Sequence, residues 1–136
     1  MQGQKQSILL VDDDKDLREI MTTKLKAANY EVYEAVDGED GLAKVQELVP
    51  DLLILDINMP KLNGMEMFSK IKTNPDLSHL KVLFLTSYGE PQTEAAWLDK
   101  KFAKEIGAAG YIKKNDDLDK IISQVKNILP PAEDDK

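Results

Sequence analysis

The sequence contains no cysteine and no long hydrophobic run. Without cysteine, the 136-residue chain has no disulfides, no zinc–thiolate sites and no thiol nucleophile. No apolar stretch approaches the roughly 20 residues that span a bilayer. The polar segment from Met1 to Ser7 does not have the pattern of a signal peptide. We therefore expect a chain that does not insert into membranes and that works in the cytoplasm.

The chain is also poor in positive charge and in histidine. Acidic residues outnumber basic ones by 25 to 18, which gives a net charge of −7. Because an acidic domain repels the phosphate backbone, we expect no direct contact with nucleic acid. The single histidine, His79, falls in a polar segment and is interpreted as an exposed loop residue.

The length and composition fit one domain. The sequence is 42% hydrophobic and 32% charged, enough to fill one core and to keep a charged surface. We expect residues 1–136 to form a single domain with a core at about 7–129. Residues 130–136 form a polar tail, which is either a terminus or the beginning of a linker.

Short apolar runs alternate five times with amphipathic stretches, which predicts alternating strands and helices. The predicted strands are Ile8–Val11, Tyr30–Ala35, Leu52–Leu55, Val82–Leu85 and Tyr111–Lys113. The first predicted helix has Asp13 or Asp14 as its cap, Asn29 as its stop, and Leu17, Ile20, Met21 and Leu25 on its inner face. The other predicted helices are Asp40–Val49, Gly64–Lys72 (with Met65, Phe68 and Ile71 inward), about Glu94–Ile106, and Leu118–Leu129. This alternation predicts an α/β fold, a doubly wound parallel sheet of five strands with five helices on its two faces.

Carboxylates follow two of the predicted strands. Asp12 and Asp13 come directly after the first strand, and Asp56 comes directly after the third. The carboxyl ends of parallel strands meet at one edge of the sheet, where ligands bind. Carboxylates crowded together disfavour their own ionised forms, and a hard cation such as magnesium or calcium relieves the repulsion. Thr86 and Lys114 fall at the same predicted edge.

Each of these residues also has an ordinary interpretation. Asp13 and Asp14 are suitable helix caps, and Asp56 could begin a turn. Taken alone, Thr86 is more often a plain strand end and Lys114 a solvated surface charge. The ordinary alternative for Tyr111 is a core or surface aromatic. Only the joint pattern favours a functional site.

That pattern resembles the receiver domains of two-component response regulators, including the single-domain relatives of the chemotaxis regulator. The resemblance covers about Ile8 to Leu129. It is carried by Asp12-Asp13, by Asp56-x-x-Met59-Pro60 with Gly64, by Thr86, and by Gly110-Tyr111-Ile112-Lys113-Lys114. It implies a flavodoxin-like fold with strand order 2-1-3-4-5.

The resemblance implies a magnesium-dependent phosphoacceptor site. Asp56 would accept the phosphoryl group and contribute to metal binding. Asp13 would ligate Mg²⁺ directly, Asp12 would act mostly through water, and the backbone carbonyl of Asn58 would be a further ligand.

The remaining implied roles concern the phosphoryl group and its effect. Thr86 would hydrogen-bond the phosphoryl group, Lys114 would pair with it, and Tyr111 would act as a rotameric switch on the output face. The donor would be phosphohistidine on a sensor histidine kinase or a histidine phosphotransfer protein, because His79 lies far from the site. The output would be binding to a downstream protein target.

Two departures from the family pattern affect the surroundings of the site. Asn115 stands where the family usually has proline after the active-site lysine, and the segment from Thr86 to Gly110 is longer than the family's.

The sequence argues against two alternative functions. A phosphohydrolase with an aspartyl intermediate would need an acid where Asn58 stands, and a phosphorylation-independent scaffold would not need the acidic set. We expect no enzymatic activity beyond self-phosphorylation and self-dephosphorylation.

Overall fold

The computed structural model describes residues 5–57, 64–86, 107–114 and 116–131. The strands are β1 (Ser7–Val11), β2 (Glu31–Ala35), β3 (Leu52–Asp56), β4 (Lys81–Thr86) and β5 (Gly110–Lys113). The helices within these ranges are α1 (Lys15–Ala27), α2 (Gly38–Leu48), α3 (Gly64–Lys72) and α4 (Leu118–Ile128). None of these helices is both long and apolar enough to cross a membrane.

The strands form one parallel sheet in the order β2-β1-β3-β4-β5. This confirms the doubly wound α/β fold and the predicted strand order, with element ends that differ by one or two residues. The helix predicted at about Glu94–Ile106 lies outside the described residues. The assignment of residues 1–136 to a single domain stays a prediction.

Both faces of the sheet are covered, which explains the unbroken apolar runs. Along β3, Leu52 and Ile54 point to a cluster with α1 and α4, and Leu53 and Leu55 point to a second cluster with α3. All five residues of β3 are buried. A strand buried on both faces loses the alternation of a half-exposed strand, so Leu52–Leu55 is unbroken apolar and only the last residue, Asp56, is charged.

Helix α1 confirms one predicted cap and corrects one predicted core residue. Asp14 caps the helix, because its Oδ1 accepts a hydrogen bond from the Leu17 N–H at 3.2 Å. Met21 and Leu25 are fully buried. The inward prediction for Ile20 is wrong, since this residue is 48% exposed. Ile20 is turned from Met21 by about 100° around the helix, away from the sheet.

Helix α3 has the predicted bounds but a different inner face. Phe68 and Ile71 are buried as expected, and the Phe68 ring meets that of Phe84 edge to face with centroids 5.1 Å apart. Met67 is fully buried, whereas Met65 is only partly buried and packs at the margin of the core. The sequence contains a methionine at both positions, so hydrophobicity alone did not distinguish them.

Gly64 joins α3 to the end of β3 at very close range. Its N–H donates to the carbonyl of Ile57 at 2.9 Å. A Cβ at position 64 would lie 2.3 Å from the backbone oxygen of Asp56 and 2.7 Å from the Ile57 Cα. Both neighbours are backbone atoms that no rotamer change can move. Only glycine lets the helix begin directly against the strand end that carries Asp56.

We predict that Gly64→Ala lowers the free energy of unfolding by about 1–3 kcal/mol, the usual cost of an overpacked site. Urea unfolding followed by circular dichroism measures the change. Gly110→Ala is the matched control, because its Cβ would lie 3.4 Å from Leu83 Cδ1, an ordinary contact. Equal destabilisation of the two variants would contradict the close packing of α3 on the strand end.

Candidate functional site

The carboxyl ends of β1 and β3 bring three carboxylates together. Val11 pairs with Leu55 in the parallel register, so Asp12 and Asp56 follow side by side. Both of these side chains are fully buried, and Asp13 is exposed. One carboxylate oxygen from each of Asp12, Asp13 and Asp56 lies within 4.8 Å of the others. The three acids that the sequence placed at one edge therefore share one site.

Lys114 reaches the same carboxylates from the end of β5. Its Nζ lies 2.9 Å from Asp56 Oδ2 and 3.2 Å from Asp12 Oδ1. Burial lowers the pKa of Lys114, but the hydrogen bonds and negative charges of Asp56 and Asp12 outweigh this effect and raise it above its ordinary value. The lysine is therefore held as a cation between two buried acids.

The carboxylate of Asp12 is held through only one of its two oxygens. Its Oδ1 accepts from the Asp14 N–H at 2.9 Å and from Lys114. Burial raises the pKa of Asp12, and these donors offset the rise only in part. Within the described ranges, its buried Oδ2 has no hydrogen-bond partner. A buried oxygen of this kind is costly unless another group satisfies it.

The donor set fits a hard divalent cation. All the candidate ligands are oxygens, as Mg²⁺ and Ca²⁺ require. Three carboxylates face one ammonium group, so the cluster carries excess negative charge when all three are ionised. A cation at this position would satisfy the orphaned Asp12 Oδ2 and relieve the repulsion.

Several predicted site residues are only partly placed by the structure. Asn58, Asn115 and the Thr86 side chain lie outside the described residues, although the backbone of Thr86 ends β4 beside Lys113. Tyr111 is half-buried on β5 and packs against the cluster beneath α3. His79 is exposed just before β4, at the opposite edge of the sheet from the acids.

Sequence reasoning missed Arg18, on the second turn of α1. Its Nη1 donates to the backbone carbonyl of Asp12 at 2.7 Å, and its Nε pairs with Glu34 Oε1 at 3.1 Å. The available signal was that Arg18 is the only arginine among 18 basic residues. It lies four positions after the capping aspartate, on a helix that otherwise carries lysines.

The chain belongs to the response regulator receiver domain family, whose sequence profile matches residues 8–126. It is therefore a receiver domain of two-component signalling. Domains of this family interact with histidine kinases and with downstream targets.

Three relatives illustrate the settings in which similar domains occur. The chain is 32% identical to the DNA-binding dual master transcriptional regulator RpaA of Synechocystis over 90% of its own length and 48% of RpaA. It is 36% identical to Histidine kinase P4 of Formosa agariphila, over 93% of the chain and 9% of that protein. The structure of the chemotaxis response regulator CheY4 of Vibrio cholerae matches with a TM-score of 0.77 and 29% identity, covering 91% of this chain and 98% of CheY4. The chain thus spans about half the length of RpaA and nearly all of CheY4.

We predict that a divalent cation stabilises the fold through the acidic cluster. At a concentration a hundredfold above its dissociation constant, the cation should add about 2.7 kcal/mol to the free energy of unfolding. Thermal unfolding with and without Mg²⁺ or Ca²⁺ measures this. Asp13→Asn should lose most of the effect, and the exposed, distant Asp76→Asn should keep it. An equal response of the two variants would exclude Asp13 as a ligand.

Proposed function

We propose that this chain is a phosphoacceptor module in which Asp56 takes a phosphoryl group from phosphohistidine on a partner, with Mg²⁺ as cofactor. Membership of the receiver family supports this proposal. The observation that carries it is the arrangement around Asp56, where two neighbouring carboxylates and the Lys114 ammonium group surround one buried acid. An isolated structural aspartate would not need a cation partner on one side and two further acids on the other.

The transfer step makes one bond and breaks one. A carboxylate oxygen of Asp56 attacks phosphorus and forms an acyl phosphate, while the phosphorus–nitrogen bond breaks and the partner's histidine keeps the electron pair. Asp12, Asp13, Asp56 and the backbone carbonyl of Asn58 would hold Mg²⁺. When bound, the ion supplies charge neutralisation for the phosphoryl oxygens.

Lys114 has a different partner before and after transfer. In the structure its Nζ is hydrogen-bonded to Asp56 Oδ2. Once that carboxylate has become an acyl phosphate it no longer carries its own charge, and the new phosphoryl group adds about −1.5 to −2 charges beside the lysine. We propose that Lys114 then pairs with the phosphoryl oxygens and that the Thr86 hydroxyl donates to them.

We propose that this rearrangement switches a protein-binding face. Movement of Thr86 would make room for Tyr111 to turn inward, which couples the site to β5, α4 and the helix predicted at about Glu94–Ile106. Phosphorylation would bias a two-state equilibrium rather than create a new structure. The partner on this face would be a downstream protein.

The setting of the module is also a proposal. The donor would be a sensor histidine kinase or a histidine phosphotransfer protein, and the location would be cytoplasmic. We propose that the module does not itself contact nucleic acid, because its net charge is −7. Its catalysis would be limited to its own phosphorylation and dephosphorylation.

We predict that incubation with Mg²⁺ and a small phosphodonor such as acetyl phosphate adds the mass of one phosphoryl group to the wild type. Intact-mass spectrometry measures the change. Asp56→Asn should stay unmodified, because an amide oxygen is a poor nucleophile, and Asp76→Asn should be modified like the wild type. Chelation of Mg²⁺ should abolish the reaction. A modified Asp56→Asn protein would place the acceptor elsewhere.

We further predict that beryllofluoride with Mg²⁺, which mimics the acyl phosphate, shifts the side-chain and amide resonances of Tyr111. Tyr33, on the edge strand β2, is the internal reference and should change little. Thr86→Ala should suppress the Tyr111 shift without preventing phosphorylation of Asp56. Unchanged Tyr111 resonances in the wild type would show that the site and the switch are not coupled.

A further inference from the structure

Arg18 connects the backbone at Asp12, which follows β1, with Glu34 on β2. It is the only arginine of the chain, and its side chain is only 12% exposed, although it lies on the second turn of a helix that borders solvent. Partial burial of a guanidinium group is costly unless its donors find acceptors. One acceptor of Arg18 lies on β2 and the other on Asp12, which directly follows β1, so this one side chain connects α1 with both strands.

Arg18 makes two contacts, one with a residue that anchors its side chain and one with the backbone that it positions. The anchor is Glu34 on β2, whose Oε1 lies 3.1 Å from Nε. Glu34 is itself restrained, because its backbone carbonyl accepts from Lys44 Nζ at 2.6 Å. The target is the backbone carbonyl of Asp12, which accepts from Nη1 at 2.7 Å. Arg18 therefore holds the peptide bond between Asp12 and Asp13 at a fixed place relative to β2.

The peptide bond between Asp12 and Asp13 determines the position of the Asp13 backbone. The unit from the Asp12 Cα to the Asp13 Cα is planar, so a hydrogen bond to its oxygen also fixes the nitrogen and Cα of Asp13. The N–H of Asp12 donates to the carbonyl of Ala35 at 3.2 Å, which fixes the preceding peptide in turn. In the described part of the chain, no hydrogen bond holds the Asp13 carboxylate itself. Its direction therefore depends on the backbone that Arg18 restrains.

We propose that Arg18 is a positioning residue of the cation site, acting through the Asp12 carbonyl to aim the Asp13 carboxylate at the position that Asp12 and Asp56 share. Glu34 orients the guanidinium group for this task. The effect on cation binding follows from the acidic cluster alone, whereas the effect on phosphoryl transfer rests on the function proposed above. Among the described residues, Arg18 donates to the backbone of Asp12 and not to the carboxylates of Asp12, Asp13 or Asp56. Its contribution is therefore to the geometry of the cation site.

Lysine is a poor substitute for arginine at this position. The guanidinium group is planar, and its Nε and Nη1 point in fixed directions toward two separate acceptors. A lysine has one nitrogen on a flexible stem and cannot hold both directions rigidly. Residues that orient metal ligands without binding the metal typically change metal affinity by about 10- to 100-fold when they are replaced.

The test measures binding of Mg²⁺ alone by isothermal titration calorimetry. In Arg18→Met and in Arg18→Lys, we expect the Mg²⁺ dissociation constant to rise about tenfold. Lys24→Met is the matched control, because it removes one positive charge from the same helix and breaks only an exposed pair with Asp119. We expect this control to stay within about twofold of the wild type, since screened surface charges contribute little. Amide resonances of Asp13 and Asp14 report the backbone shift directly.

Glu34→Gln provides a second variant that retains the side-chain shape, in case Arg18→Met does not fold. We expect it to weaken Mg²⁺ binding by a smaller factor, about two- to threefold. The double variant Arg18→Lys/Glu34→Gln should bind no more weakly than Arg18→Lys, because the two residues act in one chain of contacts.

The outcomes separate this inference from the function proposed above. If the wild type binds Mg²⁺ and Arg18→Lys and Glu34→Gln both bind it with wild-type affinity, the positioning role is wrong. If Lys24→Met weakens binding as much as Arg18→Lys, the effect comes from any change on α1 rather than from the contacts of Arg18, and the inference is also wrong. If the wild type binds Mg²⁺ but Asp56 takes no phosphoryl group, the proposed function fails while the role of Arg18 at the cation site still stands.

Discussion

The contact between Lys114 and the two buried carboxylates is the interaction on which the site depends. Asp12 and Asp56 are both fully buried, where a negative charge is expensive to maintain. Lys114 lies within hydrogen-bond distance of both acids and, among the residues that the structure describes, is the one cation paired with them. The negative charge is not fully neutralised, because Asp13 adds a third carboxylate beside Asp12 and Asp56. Lys114 thus offsets only part of the negative charge, and the proposed cation would neutralise the rest.

The three consecutive aspartates illustrate how one short segment serves three purposes. Asp12 is buried and shares Lys114, Asp13 is exposed at the mouth of the cluster, and Asp14 caps α1. The capping bond starts the helix immediately after the acidic site, so the positive end of the helix dipole lies beside the carboxylates. The local preference of aspartate for helix starts is therefore compatible with its proposed role as a ligand.

Much of this arrangement could be predicted from the sequence, because the signals were local or topological. The unbroken apolar run at Leu52–Leu55 indicated a strand buried on both faces, and strand–helix alternation indicated which ends would meet. What could not be predicted depended on packing between elements. Ile20 has the same hydrophobicity as its buried neighbours, and only the angle at which α1 lies on the sheet leaves it exposed. Arg18 likewise gains its contacts from Glu34 on β2, a pairing that spacing along the chain does not reveal.

The parts of the site come from distant positions in the chain, and this has a consequence for folding. Lys114 is 102 residues from Asp12 and 58 residues from Asp56. The sheet must close from β1 to β5 before these groups can meet, and contacts with such large sequence separation form at a high entropic cost. A nascent chain that has emerged only as far as β4 would present both acids without their counter-charge. The three carboxylates can therefore come together as soon as β1 pairs with β3, whereas the ammonium group that offsets their charge arrives only when the last strand docks.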